Sequence, residues 1–448
     1  MIFPSKFIFS ARITEEGTFF IPNKSILMKK QKFFTIPIII LLILLITTNQ
    51  QISSSPDVLY EIKEPEPSQT KIELDEMKDV INDYEQWLTR EIENSGTVGA
   101  AVAIIYKDQI AFLKCFGNRE VGKDAPVDEH TVFRLASVSK PITGVFAGLL
   151  AQDEVLDFDE KVSEILPWFR LGNTSATRQL TIRNLLSHTS GLVPHAYDDL
   201  VETHAPFTNI LSRMKDAGVA SSPGTVYSYQ NVMFSLIDTI LAVKTSRNYG
   251  QLIKEKLFEP LGMDDASTDF ESFKNNPNKA IPHRGANGVY RKLPLNNRYY
   301  ITAPAAGVNA SITDMSKFLI GLLDEENPLL DESISGKIFE PQVVSNLSSG
   351  YFRYWDQVQT KRYALGWRMV GYKGRNIAYH GGFVNGYKAE IAISKQDNIG
   401  IVYLTNSPNV VASQSIPVFL NSLIRYKDNM PVMASLDNQE DKKIIQDI

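Results

Sequence analysis

At 448 residues the chain is long enough for one large domain, or two interleaved lobes, with appendages. Its 43% hydrophobic and 22% charged residues exclude a mostly disordered protein, and a formal charge of -5 offers neither a basic face for nucleic acid nor an acidic tract. The single cysteine, Cys115 in the run AFLKCFG, excludes an intrachain disulfide and is expected to be a buried structural thiol.

The stretch MKKQKFFTIPIIILLILLITTNQQ, from Met28, sets three lysines before an apolar run from Ile36 to Ile46. A basic flank ahead of a short apolar core reads as an export signal rather than a core helix. The run is shorter than the roughly 20 residues of a spanning helix. No small-x-small cleavage site and no lipid-accepting cysteine follows it. A cleaved signal and an uncleaved membrane anchor both stay open, as do starts at Met1 and Met28. Either way the remainder is expected to be periplasmic or extracellular. Residues 1–48 are therefore read as an N-terminal extension with the export segment. Residues 49–75, with SSSPD and KEPEPSQTK, form a polar linker. Residues 76–428 are the folded domain, and 429–448 a polar tail.

IELDEMKDVINDYEQWLTREIENSG has helical spacing, with Ile72, Met77, Ile81, Trp87 and Leu88 on one side and Gly96 as its stop. VGAAVAIIYKDQIAFLKCFG predicts a hairpin of two buried strands turning at YKDQ. FRLASVSKPITGVFAGLL then opens an apolar helix with Ser137 and, three residues on, Lys140; Pro141 suits a first turn. Residues from about 145 to 345 read as mostly helical. Near the end, RNIAYHGG, YKAEIAIS and NIGIVYLTN predict three short strands, followed by an amphipathic IPVFLNSLIRYK. Strands at both ends with helices between them predict an α+β domain whose antiparallel sheet is assembled from both ends of the chain.

A Ser-x-x-Lys pair does chemistry only on a helix, where residues three apart share a face. A serine hydroxyl needs a base within reach, and a lysine serves if burial lowers its pKa. The chain has three such pairs: Ser137/Lys140, Ser68/Lys71 and Ser212/Lys215. Ser68 falls in the linker, and Ser212 in what reads as an exposed mid-helix position. Only Ser137 opens an apolar helix. In SSPGTVYSYQNVMFSLI, Tyr229-x-Asn231 is the one Tyr-x-Asn among 18 tyrosines, and it reads either as a helix cap or as a phenol and amide able to relay a proton. His380-Gly381-Gly382 is expected to end a strand, its glycines admitting a ligand close to the backbone. Alone, His380 reads as an ordinary strand-end histidine.

Taken together, the order and spacing of these three elements resemble the penicillin-recognising serine hydrolases, most nearly class C β-lactamases and their D-alanyl-D-alanine carboxypeptidase and esterase relatives. LTIRNLLSHTSGL (180–192), LFEPLGMDDAS (257–267), PAAGVNASITDMSKFL (304–319), YALGW (363–367) and GIVYLTN (400–406) look like further landmarks of that family, over residues 76–428. The resemblance implies an antiparallel sheet flanked by helices, a mostly helical lobe, and an active site between them. It implies that Ser137 is the acylated nucleophile and that Lys140 takes its proton. Tyr229 would be a phenolate or relay protonating the leaving group, and Asn231 would orient Lys140 and a substrate amide. His380 would support Tyr229 and a substrate carboxylate. The amides of Ser137 and Phe383, beside Gly381 and Gly382, would form the oxyanion hole. The substrate is expected to be a small-molecule or peptide acyl donor: a lactam, a D-amino-acid peptide or an ester. Histidine in the third motif, and the absence of an arginine in LTNSPNVVASQS, weigh against efficient antibiotic hydrolysis.

No Gly-x-Ser-x-Gly elbow exists, against a Ser-His-Asp hydrolase of the doubly wound type. The six histidines, His130, His188, His195, His204, His283 and His380, form no His-Glu-x-x-His helix, and no metal or cofactor is expected. The alternative from another class is a non-turnover sensor or scaffold binding penicillins or cell-wall peptides. The presence of Ser137, Lys140, Tyr229 and Asn231 together speaks for turnover.

Overall fold

The computed structural model describes residues 77–428, Asn287 excepted. The export segment, the linker, Ser68 with Lys71, and the polar tail lie outside the described residues. Among the described residues no helix is long and apolar enough to cross a membrane.

Helix α1 (Lys78–Ser95) stops at Gly96, whose φ of +61° is the left-handed cap that glycine adopts freely. Its buried stripe is Met77, Val80, Tyr84, Leu88 and Ile92. Ile81 and Trp87, expected on that stripe, flank it half-buried. The hairpin follows as β1 (Gly99–Tyr106) and β2 (Gln109–Gly117). β3 (Phe133–Arg134) leads through a 3-10 turn, Ala136–Val138, into α2 (Ser139–Gln152). The helical lobe includes α3 (Asp198–Glu202) and α4 (Asn231–Thr245). It also holds a small hairpin, β4 (His283–Ala286) and β5 (Val289–Lys292), then α5 (Ala303–Ala306), β6 (Asn309–Ala310) and α6 (Ile312–Leu323). The chain returns to the sheet with β7 (Val343–Val344), β8 (Val358–Tyr363), β9 (Arg368–Tyr372), β10 (Arg375–Val384), β11 (Tyr387–Ser394) and β12 (Ile399–Thr405), and α7 (Val410–Lys427) closes the domain.

The main sheet is antiparallel, in the order β2-β1-β12-β11-β10-β9-β8-β7. The first hairpin thus pairs with the last strand, and the two ends of the chain build one sheet. The fold is α+β, as the strand pattern predicted. Both faces of the sheet are covered. Ala101, Ala103 and Ile105 of β1 enter the core shared with the helical lobe. Ala100, Val102 and Ile104 enter a second core beneath α1 and α7. Double coverage is why VGAAVAII reads as an unbroken apolar run. β2 departs from expectation. It is an edge strand and mostly half-buried, so Cys115 is half-buried too; burial, with the charges of Asp128 and Glu129, pushes its thiol up to about 11. Ser212 ends the short helix Phe207–Ser212 instead of lying mid-helix; it is exposed, and its hydroxyl donates to the Asn209 carbonyl at 2.8 Å.

Candidate active site

Ser137 sits in the 3-10 turn that joins β3 to α2, directly after Ala136, whose φ of +48° is unusual for a residue with a side chain. Lys140 lies one turn further, with Nζ 3.3 Å from Ser137 Oγ. α4 begins at Asn231, its N-cap Gln230 is in extended backbone, and Tyr229 lies one residue before that cap. The Tyr229 hydroxyl donates to Ser137 Oγ at 2.8 Å. β10 runs alongside the Ser137 turn, and Gly382 is what permits this. A Cβ there would lie 2.5 Å from the Leu135 carbonyl oxygen and 2.8 Å from the Ser137 amide nitrogen. Phe383, 68% exposed, lines with Ser137 and Tyr229 a pocket of about 200 Å³.

Lys140 is fully buried, and its amine meets two oxygens that can only accept: Asn231 Oδ1 at 2.7 Å and the Ala305 carbonyl at 3.0 Å. Burial, opposed by Asp198 and assisted by the charge of Arg368, holds its pKa well below the ordinary lysine value. A neutral amine has two N–H bonds and one lone pair. In that form, with both N–H bonds spent on Asn231 and Ala305, the lone pair would be left for the Ser137 hydroxyl. Tyr229 shifts the other way. Burial raises its pKa above the ordinary phenol value, more than the Arg368 charge lowers it, so it rests as a neutral donor and not as a phenolate.

The amide of Asn231 is oriented by a residue that sequence reasoning missed. Asn231 Nδ2 donates to Asp198 Oδ2 at 2.8 Å, which turns Oδ1 toward Lys140. The same Asp198 oxygen accepts from His195 Nδ1 at 2.8 Å. His195 and Asp198 both line the pocket with Ser137. They come from VPHAYDD, which carries no motif. A His-x-x-Asp pair is frequent by chance, and nothing local says that it lines a pocket with Ser137.

His380 and Gly381 lie differently from their expected places. His380 is interior to β10 rather than at a strand end, and it is fully buried. Its Nδ1 can only donate to the Gly381 carbonyl, at 2.9 Å, which leaves Nε2 to accept from Arg368 Nη1 at 2.6 Å and the Tyr363 hydroxyl at 3.2 Å. Burial first, then the charges of Arg368 and Lys140, keep it neutral, well below the ordinary imidazole value. A neutral ring with both nitrogens engaged has no N–H for a substrate carboxylate, and its ring centroid stands 6.5 Å from that of Tyr229. Gly381 turns its missing side chain toward Glu390 and the Tyr379 hydroxyl, away from the Ser137 turn. The cation at this end of the site is Arg368 of β9, which is buried with its guanidinium 5.5 Å from the Tyr229 ring. His188 is buried against Tyr229, at 4.3 Å between ring centroids, and accepts at Nδ1 from the Gln230 amide. Among the described residues no group of acidic, histidine and cysteine side chains is placed to hold a metal ion.

A family model described as Beta-lactamase matches residues 84–416. Protein flp of Staphylococcus aureus strain MRSA252 is 23% identical over 381 residues, which cover 81% of this chain and 71% of that protein. The unguisins hydrolase ungD' of Aspergillus campestris is 23% identical over 336 residues, 72% of this chain and 61% of that protein. Among solved structures, the octameric penicillin-binding protein homologue from Pyrococcus abyssi shares the fold with a TM-score of 0.68 at 20% identity, covering 82% of this chain and 81% of that one.

Proposed function

Since the chain belongs to the Beta-lactamase family, we propose that it is a serine hydrolase working through an acyl-enzyme on Ser137. The observation that carries this is the setting of Ser137 Oγ, between the hydroxyl of Tyr229 at 2.8 Å and the buried amine of Lys140 at 3.3 Å. Lys140, its pKa lowered by burial, takes the Ser137 proton as Oγ attacks an acyl carbonyl. Tyr229, kept protonated, gives its proton to the leaving group and recovers one from the Lys140 ammonium, whose Nζ lies 4.4 Å from its ring centroid, so both groups are neutral again in the acyl-enzyme. The pocket holds the carbonyl oxygen against the backbone at Ser137 and Phe383, where amide donors would each lower the barrier by roughly 3 kcal/mol.

Intact-protein mass spectrometry after exposure to a penicillin, a D-alanyl peptide and an aryl ester tests the reading. One adduct is expected, on the peptide containing Ser137 and not on those containing Ser68 or Ser212, and it should clear with time. Ser137→Ala should abolish it without unfolding the protein. Turnover retained by folded Ser137→Ala would refute the assignment, and a Ser137 adduct that never clears would make the protein a binding module.

Export belongs to the same proposal, supported by the lysines ahead of Ile36–Ile46. A reporter fused after Lys71 should be active only outside the cytoplasm, and activity inside would exclude export.

A further inference from the structure

The proposed acyl-enzyme needs a base for water, and the groups that make it are poorly placed to be that base. Lys140 is fully buried and directs its lone pair at Ser137 Oγ. Tyr229 is a donor to Ser137, and His380 has both ring nitrogens engaged below the pocket. Tyr299, on the pocket wall, donates its hydroxyl to Glu202 at 2.7 Å.

His195 is different. Its side chain is 58% exposed on the wall of the pocket that holds Ser137. Nδ1 faces the Asp198 carboxylate at 2.8 Å and donates to it, so the neutral ring carries its lone pair on Nε2. Asp198 is in turn held by the Asn231 amide at 2.8 Å. The His195 backbone N–H donates to the Tyr229 carbonyl at 2.9 Å, and its φ of +58° is a left-handed conformation that a residue with a side chain seldom adopts. The loop is therefore tied at two points to the Tyr-x-Asn segment. An imidazole oriented by a carboxylate and facing the nucleophile's pocket has the geometry of a general base.

We propose that His195, oriented by Asp198, is the general base that activates water for hydrolysis of the Ser137 acyl-enzyme. This rests on the acyl-enzyme reading above. His195 Nε2 takes one proton from water as its oxygen bonds to the acyl carbon. The tetrahedral adduct collapses with loss of the bond to Ser137 Oγ. That oxygen recovers a proton from the Tyr229 hydroxyl, and the proton on His195 returns to Tyr229 through pocket water. The net change is one water consumed, one ester bond broken, and one acid released. The dyad would make the protein a hydrolase rather than a trap for its substrate.

The test is His195→Gly, because glycine accepts the left-handed backbone and leaves room for free imidazole. With a p-nitrophenyl ester, a burst of one equivalent is expected at close to the wild-type acylation rate, followed by turnover about 100-fold slower, as for loss of a general base. The Ser137 adduct should accumulate by mass spectrometry, and added imidazole should restore its clearance. If His195→Gly lowers the melting temperature, His195→Asn, which also tolerates this backbone, should show the same burst. Clearance at the wild-type rate, or acylation and clearance slowed equally, would overturn the role of His195 while leaving Ser137 in place. Absence of any Ser137 adduct on the wild-type protein would overturn both.

Discussion

Gly382→Ala adds one methyl group where β10 passes the nucleophile turn. Its Cβ would lie 2.5 Å from the Leu135 carbonyl oxygen, 2.8 Å from the Ser137 amide nitrogen and 2.9 Å from the Val138 amide nitrogen. All three are backbone atoms, so no rotamer change relieves the clash. Ordinary contact begins at 3.4 Å, so strand and turn must separate by about 0.5–0.9 Å in an interior packed too densely to absorb the shift elsewhere. Overpacking of this kind costs about 1–3 kcal/mol of stability. The larger effect is on the site, since a misplacement of about 1 Å costs roughly 100-fold in rate. The expected loss is therefore about 10- to 100-fold in the second-order rate of Ser137 labelling by a fluorophosphonate, with the melting temperature only modestly lowered. Gly381→Ala is the neighbouring control. Its Cβ would meet Glu390 Oε2 at 2.8 Å and the Tyr379 hydroxyl at 3.0 Å, side-chain groups away from the nucleophile turn, so it should cost stability more than labelling rate. Labelling of folded Gly382→Ala at the wild-type rate would refute the idea that this glycine sets the distance between strand and nucleophile.

Two further outcomes follow from the buried charges. Lys140→Met should lower acylation by about 10²–10⁴-fold yet raise the melting temperature at neutral pH. The folded pKa of Lys140 is depressed below the 10.5 of the free side chain, so the unfolded chain binds more protons, and this penalty grows as pH falls from 10.5 through the folded value. Thermal melts of both proteins from pH 7 to 11 should converge at the alkaline end, and a constant difference would count against a neutral Lys140. Arg368→Met removes a cation that depresses the Lys140 and Tyr229 pKa values and also faces Tyr227, Tyr351, Tyr363, His380 and Glu390. The rising limb of kcat/KM against pH should move to higher pH, with Arg368→Lys restoring it in part, and an unmoved limb in the folded variant would show that Arg368 serves packing alone.

The elements legible in the sequence were those whose signal is local. Helical pitch brings Lys140 back to Ser137, an αL glycine marks the end of α1, and apolar runs announce β1 and β12 because both faces of the sheet are covered. β8 and β9 were missed: β8 is VQTKRY, short, mostly polar and largely exposed, and β9 joins the sheet beside it. The family resemblance named the third motif, but not the direction of its side chains. His380 faces inward by strand alternation, and there it meets Arg368, which the β9–β10 register sets opposite the neighbouring Tyr379. Asp198 and His195 are the strongest case. Their segment has no periodicity and no motif, and their chemistry comes only from meeting Asn231 and Tyr229, which lie 33 and 34 residues further along the chain. A sequence displays contacts that repeat with the period of a helix or strand. A contact made once, between loops brought together by the packing of the whole domain, leaves no period to read, and at this site such contacts decide how the amide, the amine and the imidazole are oriented.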